Sequence, residues 1–173
     1  FIFKIFYSNY MSNFSISSPD FREGEEIPKK FGYKFENAHP TIEFDGIPQN
    51  TKSLSIIMDD PDAMAAVGKI WVHWLLSDLS PQTVAILSGE TPMKTLREGE
   101  DDDDMDYTKG KTDFGEIGYG GPAPPNGRHT YVFKGYTLDV KLDLQEGFSK
   151  QELEDAMEGH ILAEAKLTGT FTP

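Results

Sequence analysis

Short apolar runs separated by proline and glycine dominate the chain. Residues 53–58 (SLSIIM) and 70–76 (IWVHWLL) are rich in β-branched and aromatic side chains, and 129–139 (HTYVFKGYTLD) is a third run of this kind. Runs of this length and composition are typical of strands inside a sandwich. Weaker patterns at 41–44 and 166–171 predict two more strands. The turn residues in nearly every gap favour a mainly β fold.

Two details within these runs give specific predictions. Alternate residues of a strand face the same side of a sheet, so Trp71, His73 and Leu75 are expected to share one face. Gly135 lies in the middle of the third run and predicts either a bulge or a point of close packing.

One helix is predicted near the C-terminal end of the chain. Ser149 and Glu152 have the spacing of a capping box. An apolar stripe at helical spacing follows, made of Leu153, Ala156, Met157 and Ile161. Gly159 interrupts this stripe, so the segment is either one helix or two short ones.

The composition narrows the possible functions. The chain has 173 residues, a length typical of a single domain. It contains no cysteine, which excludes disulfides, thiolate nucleophiles and cysteine-ligated zinc. A formal net charge of −13 disfavours nucleic acid, whose phosphates bind surfaces rich in lysine and arginine. We expect a cytoplasmic protein without a cofactor.

Two segments are set apart by their composition. Residues 1–10 are apolar and aromatic but far too short to span a bilayer, and no other stretch approaches that length. We interpret them as an extension before a start at Met11, with a single domain over 11–173; a first strand or a docking arm is the alternative. Residues 98–106 contain seven acids and no base, which predicts a solvated surface loop, with a calcium site as the alternative.

Three aspartates follow the first strong strand. Asp59, Asp60 and Asp62 lie on either side of Pro61. Carboxylates this close together repel one another unless hydrogen-bond donors or cations lie nearby. The cluster therefore indicates either a functional site that supplies such donors or a turn in which the side chains accept backbone N–H bonds.

Glycine and proline are concentrated at 115–131, where there are five glycines and three prolines. The spacing matches neither a dinucleotide fingerprint nor a P-loop. We expect this segment to leave backbone N–H groups free for an anion, a rigid connecting loop being the alternative.

The histidines differ in their surroundings. His73 lies within an apolar run and is either a core histidine with satisfied nitrogens or a ligand. His129 and Tyr131 are two residues apart in a predicted strand and so present an imidazole and a phenol side by side. His39 and His160 have no evident chemical partners in the sequence.

Together these residues resemble a known family. Four blocks occur in the order found in phosphatidylethanolamine-binding proteins, a family that includes Raf kinase inhibitor protein: Asp60-Pro61-Asp62, Trp71-Val72-His73-Trp74, Gly118-Tyr119-Gly120-Gly121-Pro122 and His129-Thr130-Tyr131. The segments at 113–115, 159–162 and 167–170 are similar to those of the bacterial and archaeal, Raf kinase inhibitor-like branch. The resemblance extends from about residue 11 to residue 171.

The resemblance implies both a fold and a site. The fold is a Greek-key sandwich of two antiparallel sheets with short helices at the C-terminal end. The site is a small pocket for phosphate-like or carboxylate anions, including phosphoethanolamine. Matched by position, its residues are Asp60, Asp62, His73, Gly120, Gly121, Pro122, His129 and Tyr131. Asp62 and the two glycines have supporting roles.

We therefore expect an anion-binding regulatory module rather than an enzyme. The glycine-loop amides and the two histidines would contact the anion, and Asp60 would orient one imidazole. One alternative is a protein-interaction module that inhibits a kinase or a protease. Less favoured are a hydrolase or isomerase with a histidine base, and a metal site, which would not explain the glycines. The sequence does not identify the natural ligand, and a homodimer is possible.

Overall fold

The computed structural model describes residues 13–88, 94–97 and 107–173, with the backbone alone at 94–97. The interpretations of residues 1–10 and of the acidic tract at 98–106 lie outside the described residues. No helix in the described part of the chain has the length and apolar character needed to cross a bilayer.

Nine strands in the described residues form two antiparallel sheets. They are Ser15–Ser17 (β1), Ile42–Asp45 (β2), Ser53–Asp60 (β3), Trp71–Leu79 (β4), Thr83–Leu87 (β5), Lys94–Arg97 (β6), Thr108–Lys109 (β7), His129–Leu138 (β8) and Ile161–Phe171 (β9). One sheet has the order β1-β2-β5-β6 and the other the order β7-β4-β3-β8-β9. The predicted mainly β fold with two antiparallel sheets is confirmed. All five predicted strands are present, whereas β1, β5, β6 and β7 were not predicted.

The helices are short. Helix α1 spans Ala63–Val67, helix α2 spans Lys150–Met157, and a 3₁₀ helix spans Lys29–Phe31. The capping box is confirmed, because the Ser149 hydroxyl accepts a bond from the Glu152 N–H (3.2 Å) and the Glu152 carboxylate accepts one from the Ser149 N–H (2.7 Å). The assignment of Ile161 to the helix is wrong. Gly159 adopts a left-handed φ of +78° beyond the end of α2, and Ile161 begins β9.

Two apolar clusters cover the two faces of the five-stranded sheet. The larger cluster lies between the sheets and includes Ile56, Trp74 and Phe133. The smaller lies on the other face, where Leu153 and Met157 of α2 pack against Ile57, Val72, Leu75 and other apolar side chains. The central strand β3 is buried along its whole length, so its side chains alternate between the two clusters.

A bulge at His73 changes the face on which later residues of β4 lie. Met58 pairs with Trp74 and Asp59 pairs with Val72, so β4 has one extra residue, His73, at this point. Bulges re-aim side chains and are frequent next to functional sites. The prediction that Leu75 shares a face with His73 is therefore wrong, since Leu75 belongs to the cluster beneath α2.

Gly135 is a point of close packing. The pairing of β8 with both neighbours runs through Gly135 without a shift in register, so no bulge occurs there. A Cβ atom at this position would lie 2.8 Å from Cγ2 of Ile16, so the glycine lets the two sheets approach each other.

Candidate functional site

The site is built around an aspartate–histidine pair at the ends of two neighbouring strands. Asp60 is the last residue of β3 and His129 the first of β8, and β3 and β8 pair in the sheet. The Asp60 Oδ2 atom lies 2.7 Å from His129 Nδ1, and both side chains are buried. Because an ionised carboxylate only accepts hydrogen bonds, Nδ1 donates the proton. The Nε2 atom of His129 has no partner among the described residues.

Asp60 also shapes the turn that follows β3. Its Oδ1 atom accepts a bond from the Ala63 N–H at 3.1 Å. The turn interpretation of the aspartate cluster is thus confirmed for Asp60, and the interpretation as a functional site stays a prediction. Asp60 orients an imidazole and stabilises a turn.

His73 is the second buried imidazole of the site. Its Nδ1 atom lies 2.6 Å from the carbonyl oxygen of Gly120, which can only accept, so Nδ1 carries a proton. Burial lowers the pKa of His73, although the Gly120 carbonyl and the Asp60 charge partly oppose this. The ring is therefore neutral near pH 7 and its Nε2 atom has a lone pair. Unlike His129, which contacts Asp60, His73 is held by a backbone carbonyl.

Tyr131 brings a buried hydroxyl to the same place. Its ring packs edge-on against His73 with 5.1 Å between centroids. The residue is 0% exposed and its hydroxyl has no hydrogen-bond partner within the described part of the chain, although Asp60 and the backbone of Ala123 lie close to it. Burial raises the pKa of Tyr131, and the Asp60 charge raises it further. The phenol remains a proton donor without an acceptor, which is costly in a buried site.

The glycine loop supports the site in a different way from the one predicted. The Gly120 N–H donates to the carbonyl oxygen of His73 (2.8 Å), and the Gly121 N–H donates to Oδ1 of Asn37 (2.8 Å). The expectation that these amides are free for an anion is therefore wrong. They hold the loop against β4 and the segment around Asn37, and it is the Gly120 carbonyl that acts on the site, through His73.

Pro122 and Gly121 fix the course of this loop. The Pro122 carbonyl accepts a bond from the Tyr33 N–H at 3.0 Å. A Cβ atom on Gly121 would lie 2.0 Å from the carbonyl oxygen of Phe31, so only glycine fits there.

Asp62 lies at the edge of the site. Its Oδ2 atom accepts a bond from the backbone N–H of Thr130 at 2.7 Å, which connects the turn after β3 to the start of β8. Its charge also contributes to the raised pKa of Tyr131. The supporting role expected for Asp62 in ligand binding stays a prediction.

Sequence reasoning missed an aromatic wall beside His73. The Phe114 ring stacks on Tyr33 at 4.0 Å, and both His73 and Trp71 pack edge-on against it at 5.4 Å. The Trp71 Nε1 atom is buried and has no hydrogen-bond partner among the residues that the structure describes. Phe114 was noted only as part of the family resemblance. Asn37 had no signal at all, since it lies 84 residues before the glycine that it binds.

Other titratable groups lie elsewhere. His39 is buried and stacks on Trp74 at 5.1 Å, and the exposed His160 pairs with Asp139 at 2.8 Å. In the described part of the chain, no group of three or more potential metal ligands comes together.

The residues brought together are therefore Asp60, His73, His129 and Tyr131. The hydroxyl of Tyr131 can donate, Nε2 of His73 can accept, and Nε2 of His129 can accept or, once protonated, donate. Such a set can bind a small polar group and can exchange a proton with it.

Comparison with known proteins gives matches along nearly the whole chain. The family model described as phosphatidylethanolamine-binding protein matches residues 17–172. A UPF0098 protein of Methanothermobacter thermautotrophicus is 38% identical over 151 residues, which cover 87% of this chain and 93% of that protein. A UPF0098 protein of Chlamydia muridarum is 40% identical over 158 residues, covering 90% and 97% of the two chains.

The crystal structure of CT736, a homologue of phosphatidylethanolamine-binding protein from Chlamydia trachomatis, superimposes with a TM-score of 0.81. Its sequence is 34% identical, and the superposition covers 94% of this chain and 99% of CT736. Escherichia coli YbcL, at 24% identity and a TM-score of 0.80, shares the fold over 92% of this chain and 98% of its own.

Proposed function

Because the chain belongs to the bacterial and archaeal branch of the phosphatidylethanolamine-binding protein family, we propose that it is a regulatory module whose pocket binds small oxyanions. The main support is the Asp60–His129 pair beside the unpartnered hydroxyl of Tyr131. A buried hydroxyl without an acceptor is expected where a ligand supplies the acceptor.

His129 carries the charge that the anion needs. When its Nε2 atom takes up a proton, the imidazolium lies between the Asp60 carboxylate and the ligand. The carboxylate offsets the cost of burying this cation, and Nε2–H makes a charge-assisted hydrogen bond to the oxyanion. Asp60 does not touch the anion, since two negative charges would repel each other.

The remaining residues give the pocket its shape. Gly120 holds His73 through its carbonyl, and Gly121 and Pro122 keep the loop in place through Asn37 and Tyr33. Tyr131 donates its hydroxyl hydrogen to the anion. A preorganised site of this kind loses little entropy when the ligand binds.

We propose binding without turnover. A carboxylate–imidazole pair is also the general base of many hydrolases. Among the described residues, however, no serine or threonine hydroxyl hydrogen-bonds to His73 or His129, which removes the usual covalent route. A kinase or protease partner and a cytoplasmic location stay predictions.

The proposal is tested by titrating sulfate, which keeps its charge, between about pH 8 and pH 6, the range in which imidazoles exchange protons. Because binding takes up a proton at His129, affinity should rise as the pH falls. His129→Ala should weaken binding by about 1.5–3 kcal/mol, the range for a hydrogen bond to a charged group, and should flatten the pH response.

His160→Ala is the matched control, since His160 also pairs with an aspartate, at 2.8 Å, but lies outside the site. It should leave sulfate affinity unchanged. If sulfate binding by the folded protein is indifferent to both pH and His129, the proposed function is wrong.

A further inference from the structure

The site contains an acceptor as well as donors. A pocket for a fully deprotonated oxyanion needs only donors, such as the Tyr131 hydroxyl and a protonated His129. The Nδ1–H of His73 is already used by the Gly120 carbonyl at 2.6 Å. Nε2 of His73 is therefore left with its lone pair, and it has no partner among the described residues.

The surroundings of His73 keep it in this state. The side chain is 2% exposed, and the rings of Tyr131 and Phe114 pack against it. The carbonyls of Gly120 and Gly121 and the charges of Asp60 and Asp59 favour an imidazolium, but burial outweighs them and lowers its pKa. His129 differs from His73 in having a carboxylate in direct contact, with Asp60 Oδ2 2.7 Å from its Nδ1.

We infer that the site selects oxyanions that carry a proton of their own, namely inorganic phosphate or the monoanion of a phosphomonoester. This inference rests on the proposed function. The ligand's O–H donates to Nε2 of His73, and its other oxygens accept from His129 and Tyr131. A ligand without a proton would place an oxygen lone pair against the lone pair of Nε2.

Two chemically close groups should therefore bind more weakly than their protonated counterparts. Sulfate matches phosphate in shape but has no proton near neutral pH. A phosphodiester, the linkage found in phospholipid head groups, also has none. Sites built to hydrogen-bond a ligand O–H discriminate strongly against analogues that lack it, because the buried group is then left unpaired.

Two charge-matched comparisons by titration calorimetry test this selectivity. At about pH 7.5, inorganic phosphate is largely a dianion that retains one O–H, whereas sulfate is a dianion without one. At about pH 5.5, methyl phosphate is largely a protonated monoanion, since the second pKa of a phosphomonoester is about 6, whereas dimethyl phosphate is a monoanion without a proton. We expect the protonated member of each pair to bind at least roughly tenfold tighter.

His73→Phe removes the acceptor while keeping a ring against Phe114 and Tyr131. In this variant the two ligands of each pair should bind with nearly equal affinity. His129→Phe is the matched control, because it removes a donor common to all four ligands and should weaken them alike, preserving both ratios. Nitrogen-15 spectra of histidine in the wild-type complex with phosphate should show His73 neutral with the proton on Nδ1, a result that does not depend on any variant folding.

The outcomes separate the two proposals. Equal binding within both pairs, or an imidazolium at His73 in the phosphate complex, overturns the selectivity and leaves anion binding standing. If none of the four anions binds, anion binding itself is wrong, and the selectivity with it.

Discussion

Asp59 and Asp60 are neighbours in β3 and equally buried, with 2% and 3% of their surface exposed, yet they lie on opposite faces of the sheet. Asp59 points toward α2, where its Oδ2 atom accepts from Lys134 (2.9 Å) and Lys150 (2.8 Å). Asp60 points toward the site and contacts one imidazole. The two carboxylates are chemically alike, but Asp59 is paired with two lysines, whereas Asp60 is paired with a histidine, whose charge depends on its protonation.

This difference separates a charge cluster with lysine cations from one whose cation depends on the protonation of a histidine. Lys134 belongs to β8 and Lys150 is the first residue of α2, so the Asp59 cluster fastens the helix to the sheet with charges that persist at neutral pH. At Asp60 the positive charge appears only when His129 takes up a proton. A group whose charge depends on its partner's protonation can respond to a ligand, whereas a fixed ion pair cannot.

The largest effect is expected from Asp59→Asn. The substitution leaves two lysines, each about one-fifth exposed, without their buried counter-ion. Removing one partner of a buried ion pair costs about 3 kcal/mol. Urea denaturation should show this loss in the free energy of unfolding, while the phosphate affinity of the folded variant stays at the wild-type value. A stable variant with impaired phosphate binding would contradict the structural role of this cluster.

Asp60→Asn is the matched substitution on the other face of the sheet. It should change the affinity for anions and leave the free energy of unfolding nearly unchanged. The asparagine oxygen can still accept the Ala63 N–H, so stability should change by less than about 1 kcal/mol. An amide cannot stabilise an imidazolium at His129, so the affinity for sulfate at about pH 6 should fall roughly tenfold. Calorimetry measures this change. If Asp59→Asn and Asp60→Asn instead both lose stability and anion affinity in the same proportion, the two faces of the sheet do not have separate roles.

The sequence predicted the elements that local patterns encode. The apolar runs located β3, β4 and β8, and the spacing of Ser149 and Glu152 located the start of α2. Asp60, His129 and Tyr131 were identified because they lie at or near strand ends in recognisable blocks. Local signals of this kind do not depend on how distant segments pack.

The sequence could not show features that depend on pairing between distant segments. The bulge at His73 follows from the register of β4 against β3. The hydrogen bond from the Gly121 N–H to Asn37 forms only because two distant segments of the chain lie side by side. Strand alternation therefore misplaced Leu75, and glycine content alone suggested free amides that are in fact bonded. Ile161, the first residue of β9, was assigned to the helix because it continues the helical spacing of Leu153 and Met157 beyond Gly159.

The smallest effect is expected at His39, a buried imidazole outside both charge clusters. Its Nδ1 donates to the Pro40 carbonyl (3.1 Å), and its Nε2 is buried without a hydrogen-bond partner in residues 13–88 and 107–173. Burial lowers its pKa, and Lys109 adds to this, while the Pro40 carbonyl and Asp20 oppose it. The unfolded chain therefore takes up a proton near the ordinary pKa of about 6.5, whereas the folded protein does so only at a lower pH, so stability present above pH 6.5 is lost as the pH falls below it.

His39→Phe keeps a ring stacked on Trp74 and removes the titrating group. Between about pH 7.5 and pH 5 the variant should lose about 1 kcal/mol less stability than the wild type, as measured by urea denaturation at both values. Part of the acid sensitivity should remain, because burial lowers the pKa of His73 as well. Phosphate affinity at about pH 7.5 should not change. Identical losses of stability in variant and wild type would show that His39 is protonated as readily in the folded protein as in the unfolded chain.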